Sequence, residues 1–185
     1  MNVDGDGIPD RIATYTNTSG SYLQVVLDGR TAVSVRLSQT DATADAVRVG
    51  AIGGYDVDGD GRDEIFAVTG HGAYTTWIDV FEFDPVACAL VRLTAPGREP
   101  TQFLVGASVG NGAGLECAGG KLISTRYSAV SLEKEPVRYR GQRTSYTIVG
   151  THLQVVSEID VGFGTDDPSA PLVATFECGD LRLKR

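Results

Sequence analysis

The sequence predicts an all-β protein, and three observations carry that expectation. Short runs rich in β-branched and aromatic residues recur along the chain. Gly, Pro, Asp or Asn separates most of them. No long stretch combines i, i+3, i+4 apolar spacing with a capping box, so helices are not expected. At 185 residues and 42% hydrophobic, the chain can bury a core.

Taken in order, the runs are RIATYT (11–16), YLQVVL (22–27), TAVSVRL (31–37), VRVGAI (47–52), EIFAVT (64–69), YTTWIDVFEF (74–83), ALVRLT (89–94), QFLVGASV (102–109), KLISTRYSAV (121–130), RTSYTIV (143–149), HLQVVSEIDV (152–161) and PLVATFEC (171–178). LDGR (27–30) and IVGTHL (148–153) read as tight hairpin turns. GNGAGLECAGGK (110–121) reads as a loop because of its glycines.

Self-similarity organises these runs. An acidic, glycine-broken phrase occurs twice, as NVDGDGIPDRI from Asn2 and as DVDGDGRDEI from Asp56, 54 positions apart. VRVGAIGGY (47–55) and FLVGASVGN (103–111) repeat at an offset of 56. The chain therefore divides into units of roughly four strands at 1–45, 46–100 and 101–168, within a single domain spanning 1–185. The last stretch, 169–185, is expected to supply a strand that pairs near residues 8–15 and closes the array, since closure removes sheet edges.

Charge narrows the function. The net charge is −8, the wrong sign for a nucleic-acid partner. No apolar run is long enough for a membrane-spanning helix. Eight of the 24 acidic residues (Asp4, Asp6, Asp10, Asp56, Asp58, Asp60, Asp63 and Glu64) crowd into the two phrases. Like charges at that density repel, so either the two stretches are disordered or a cation holds them together.

The spacing points to calcium. In the second phrase Asp56, Asp58 and Asp60 occupy positions 1, 3 and 5, Arg62 position 7 and Glu64 position 9. In the first phrase the same positions hold Asn2, Asp4, Asp6, Ile8 and Asp10. Calcium takes six to eight hard oxygens, and side chains at alternate positions converge only if the backbone curls around the ion. Glycines at positions 4 and 6 permit that curl, and position 7 needs only its carbonyl. An EF-hand is excluded: position 12 is Ala13 or Ala67 rather than Glu, and the flanks read as strands. Two calcium ions are therefore expected, with magnesium disfavoured by its stricter octahedral shell.

DVDGDGRDEI, with VRVGAIGGY before it and an apolar strand after it, resembles the FG-GAP (VCBS-type) repeat of integrin-like β-propellers. The resemblance implies a propeller-like or barrel-like array whose loops bind calcium through Asp56, Asp58, Asp60, the Arg62 carbonyl and Glu64. The corresponding set in the first loop is Asn2, Asp4, Asp6, the Ile8 carbonyl and Asp10. It also implies a secreted or cell-surface protein, similar to small actinobacterial proteins with such repeats. The expected role is an interaction or adhesion module that meets a protein or glycan, not an enzyme. Met1 stands directly against the first phrase, so an upstream signal segment is expected.

The remaining chemistry-bearing residues have ordinary readings. Cys88 and Cys117 form the preferred disulfide, with Cys117–Cys178 the rival because LEC and FEC are similar contexts. His71, Tyr74 and Trp77 are the candidates for an enzymatic or carbohydrate-binding alternative; strand alternation places Trp77 with Phe81 and Phe83 in the core instead. Arg138 and Arg140 share the solvated face of a hairpin.

Overall fold

The computed structural model describes residues 1–37, 49–97, 101–133, 135–167 and 174–183. The described residues contain thirteen strands and no α-helix: β1 Arg11–Asn17, β2 Gly20–Leu27, β3 Thr31–Arg36, β4 Gly50–Tyr55, β5 Glu64–His71, β6 Thr76–Asp84, β7 Ala89–Arg92, β8 Phe103–Ala107, β9 Asn111–Cys117, β10 Leu122–Ser131, β11 Arg138–Val149, β12 His152–Gly164 and β13 Phe176–Glu177. The all-β expectation holds. Parts of two expected strands, 47–48 and 171–173, lie outside the described residues, as do the expected unit boundaries at 45/46 and 168/169.

β1–β2–β3 form one antiparallel sheet. The others form a second sheet in the order β12-β11-β10-β9-β8-β6-β5-β4, with β7 on β6 and β13 on β9. Three strands thus precede residues 38–48, four lie between these and 98–100, and six follow, counting β13, rather than four in each unit.

The core lies in two layers on either side of β5 and β6. Along β5, Ile65 and Ala67 face a cluster built with Leu23, Val25, Leu27 and Val33 of the first sheet, while Phe66 faces a second cluster. Along β6, Phe81 and Phe83 join the first cluster, and Ile78 and Val80 join the second with Phe103, Leu115, Leu122, Leu153 and Phe176. A strand buried on both faces needs a continuous apolar run, which is what IFAV (65–68) supplies. Each fully buried Phe or Ile contributes about 1.5–3 kcal/mol.

Three expectations are corrected. First, the last strand pairs elsewhere than expected, and among the described residues no pairing closes the array. β12 and β4 end the strand path, and β13 pairs in parallel with β9 at Leu115 and Glu116 instead of lying beside residues 8–15. The cause is local to that end: Phe176 packs edge-to-face on Phe66 at 5.6 Å, and Cys178 is bonded to Cys117. Second, the disulfide is therefore Cys117–Cys178, not Cys88–Cys117; Cys88 is an exposed free thiol in the β6–β7 turn. Closing a separation of 61 residues stabilises by about 4 kcal/mol in the loop-entropy treatment. Third, 111–117 is strand β9, not loop. Its glycines serve packing: a Cβ on Gly112 would stand 2.0 Å from Tyr127 Oη, so the ring lies against bare backbone.

Candidate metal centre

Both acidic phrases form loops that lead directly into a strand, β1 and β5. Their backbones curl identically. Gly5 and Gly7 have φ of 82° and 81°, and Gly59 and Gly61 have 82° and 89°. Side chains other than glycine rarely adopt such values, so positions 4 and 6 require glycine.

Four internal hydrogen bonds recur in both loops, and the second adds one from Gly59 N–H to Asp56 Oδ1 at 2.7 Å. The carboxylate at position 9 accepts from the N–H at position 2: Val3 to Asp10 Oδ2 and Val57 to Glu64 Oε2, both 2.7 Å. Position 3 accepts from position 5, at 3.2 Å for Asp4 and for Asp58. Position 5 accepts from position 7, at 2.7 Å for Asp6 and 2.8 Å for Asp60. Position 1 accepts from position 6, at 3.1 Å for Asn2 and for Asp56. Val3 and Val57, at position 2, turn inward and plug the first and second core clusters respectively. Each loop is thus held from below by one valine and the buried carboxylate at position 9, while its residues at positions 1, 3 and 5 are exposed or half-buried.

Oxygens of Asp56, Asp58 and Glu64 all lie within 4.8 Å of one another. A calcium shell of about 2.3–2.6 Å radius is about 5 Å across, so these oxygens fit on a single shell. Asp60 is turned toward Arg62, whose Nε donates at 2.9 Å and whose guanidinium also pairs with it through Nη2. In the first loop the converging oxygens are those of Asp4, Asp6 and Asp28. Asp10 lies buried at the loop's base and Asn2 at its start. Asp28, from the β2–β3 turn, is the residue sequence reasoning missed; its only local signal was the turn pair Asp28-Gly29.

The electrostatics are those of a site short of positive charge. Burial, followed by contact with Glu82, pushes the Glu64 carboxyl well above the ordinary carboxylate range. Register places Glu64 opposite Glu82, since Ile65 pairs with Phe81. Burial also raises Asp58, helped by Asp60 and Asp56, and raises Asp4, helped by Asp10 and Asp6. Asp28 is raised chiefly by Asp6. One oxygen of Glu64, Oε1, and one of Asp10, Oδ1, are buried without a hydrogen-bond partner.

The two loops also touch. Asn2 N donates to Asp63 Oδ2 at 2.6 Å, Asp63 N donates to Asn2 O at 2.8 Å, and Asn2 Nδ2 donates to Gly61 O at 2.7 Å. The last bond gives a reason for asparagine at position 1 of the first loop: a carboxylate there has no N–H to offer.

The other candidates sit apart from this centre. His71 Nδ1 lies 3.0 Å from Thr76 Oγ1 at the end of β5. Tyr74 is 70% exposed in the following turn, and Trp77 is half-buried beside Gly72. Asp79, fully buried, faces Arg92 Nη2 at 2.8 Å. Burial raises its pKa to about 6, Arg92 opposing.

Comparison with known proteins gives no match to a family model, a curated protein or a solved structure.

Proposed function

We propose that this chain is a secreted calcium-binding β-domain, probing no chemistry of its own and acting as an interaction module whose surface is held in shape by two ions. The first loop would use Asn2, Asp4, Asp6, Asp10 and the Ile8 carbonyl. The second would use Asp56, Asp58, Asp60, Glu64 and the Arg62 carbonyl. The resemblance of both phrases to FG-GAP loops supports this reading.

The observation that carries it is Glu64 Oε1. Ionising a carboxyl that is removed from water and faces Glu82 costs free energy unless a cation stands beside it. This one lies with Asp56 and Asp58 at a spacing that suits a single divalent ion. Calcium bound there would supply the missing partner and neutralise the cluster. The Cys117–Cys178 disulfide favours an oxidising compartment, where calcium is also abundant.

Binding to the native state alone stabilises by RT ln(1 + [Ca²⁺]/Kd), about 2.7 kcal/mol per site at a hundredfold excess over Kd. The test is thermal melting with calcium and with chelator. The expected result is a loss of about 10 °C or more on chelation. A melting temperature indifferent to chelator overturns the proposal. The interaction role is tested separately, by glycan-array and pull-down experiments on the calcium-loaded protein. Retention of a protein or glycan that is released by chelator supports it, and no retention on either counts against it.

A further inference from the structure

We propose that the polar cleft between the start of β8 and one face of β10 and β11 binds a single neutral hexopyranose unit. None of its lining residues belongs to either acidic loop, so the inference goes beyond the calcium reading and does not rest on it. It gives the interaction role a glycan site.

The cleft exists because β8 parts from β9. Among the described residues the two strands pair only at Gly106 and Ala107 of β8. The segment that leads into β8 lies against β10 instead, where Arg126 Nη2 donates to the Gln102 carbonyl at 3.1 Å. The floor is one face of the β10–β11 hairpin. Register sets Leu122 opposite Tyr146, Ser124 opposite Thr144, and Arg126 opposite Gln142, so these pairs share a face. Polarity rises along it toward solvent. Leu122 and Tyr146 are buried in the core with Phe103, the two hydroxyls follow, and Arg126 and Gln142 are exposed. β12 extends the same rows, with Glu158 opposite Thr144 and Asp160 opposite Gln142.

Two observations point to a ligand. The first is space: the cleft holds about 220 Å³. A cavity of about 150 Å³ admits benzene, so a six-membered ring with its substituents has room. A drug-sized molecule, which needs about 300 Å³ or more, does not. The second is a pair of unused hydroxyls. Ser124 is 6% exposed and Thr144 4%, and neither hydroxyl is hydrogen-bonded to another described residue. Side-chain oxygens this deep ordinarily have partners.

The chemistry of the face defines the class. Arg126 offers only donors, Asp160 as a carboxylate only acceptors, and Gln142, Ser124 and Thr144 both. Such a mixed array complements groups that donate and accept at once, as every sugar hydroxyl does. These hydroxyls would also reproduce the hydrogen bonds of the water they displace. Asp160, one strand beyond Gln142, weighs against an anionic ring.

The test is an NMR titration of the full chain with methyl glycosides of three neutral hexoses and with glucuronate. It is run on the wild type, Gln142→Ala and Thr144→Val. At least one neutral glycoside should give saturable shifts at residues 101–103, 124–126 and 142–146. Each substitution should weaken that binding about tenfold. Thr144→Val swaps an unpaired hydroxyl for a methyl of the same shape, so its melting temperature should hold or rise. Gln142 is exposed, so Gln142→Ala tests the site without touching the core. Unchanged affinity in both variants, saturable shifts with glucuronate alone, or no saturable shifts with any probe would each overturn the proposal. The chelator melt above reads the loops and this titration reads the cleft, so each can fail alone.

Discussion

The two acidic loops have the same backbone and different charge arrangements. Both use glycines at positive φ, both hang from an inward valine, and both anchor position 9 with the N–H of position 2. They diverge in what surrounds that frame. The second loop places Arg62 at position 7, where it pairs with Asp60 and reaches Glu82 Oε1 at 3.5 Å. The first places Ile8 there, 51% exposed, and has the carboxylate of Asp28 within 4.8 Å of those of Asp4 and Asp6. The second sits over a buried carboxylate pair, Glu64 and Glu82, between two core layers; the first sits at the edge of the smaller sheet. The lesson is that a loop motif sets oxygen positions, while the neighbouring hairpin sets net charge.

Chelating both ions should produce the largest effect on this comparison. A loss of about 5 kcal/mol is expected when calcium is at a hundredfold excess over each Kd, measured as urea unfolding with and without chelator. In Glu64→Gln the calcium-dependent part should fall by about half.

The valine anchors come next. Val57→Ala and Val3→Ala each remove buried methyl groups, at a cost of about 2 kcal/mol. Calcium affinity should drop only at the loop whose anchor is cut. Equal weakening of both sites would show that the loops do not act as separate frames.

The pH dependence sharpens the contrast further. Glu64 and Asp58 have raised folded-state pKa values. A raised carboxyl binds its proton more tightly when folded, so its contribution is present below the unfolded pKa of about 4 and is lost as pH rises through the folded value. The metal-free protein should therefore lose stability from about pH 4 toward neutral. The calcium-loaded protein should gain stability over the same range, because the ligands must ionise to bind. Chemical denaturation at a series of pH values checks this, and Glu64→Gln should flatten the metal-free curve. Asp79, remote from both loops and raised to about 6, adds a smaller loss ending near that pH, which Asp79→Asn should remove.

The smallest effect concerns the bridge between the loops. Asp63→Ala deletes the bond that Asp63 Oδ2 accepts from Asn2 N–H, a loss of about 1 kcal/mol, and removes a ligand of neither ion. It should also make the two calcium events more independent. Unchanged coupling in calorimetry would mean the bridge only holds the chain in place.

Much of the fold was legible. Alternation and punctuation marked β2, β3, β5, β7 and β12 closely, because those signals are local. The gathering of Asp56, Asp58 and Glu64, and of Asp4 and Asp6, was legible for the same reason, whereas the turn of Asp60 toward Arg62 was not. What was hidden depends on pairing across long separations. β9 looked like a loop because its glycines serve a ring from β10 rather than a turn. The C-terminal strand carried no mark of its partner, so its docking on β9, and with it the Cys117–Cys178 bond, could not be read from spacing. Asp28 was disguised as a turn residue, and Glu82 as one polar position in a strand, until hairpin register brought each beside a loop.

The number of calcium ions bound per chain tests the central claim most directly. Native mass spectrometry on calcium-loaded protein should show two ions in the wild type and one in Glu64→Gln. A wild-type chain that carries none at millimolar calcium would contradict it.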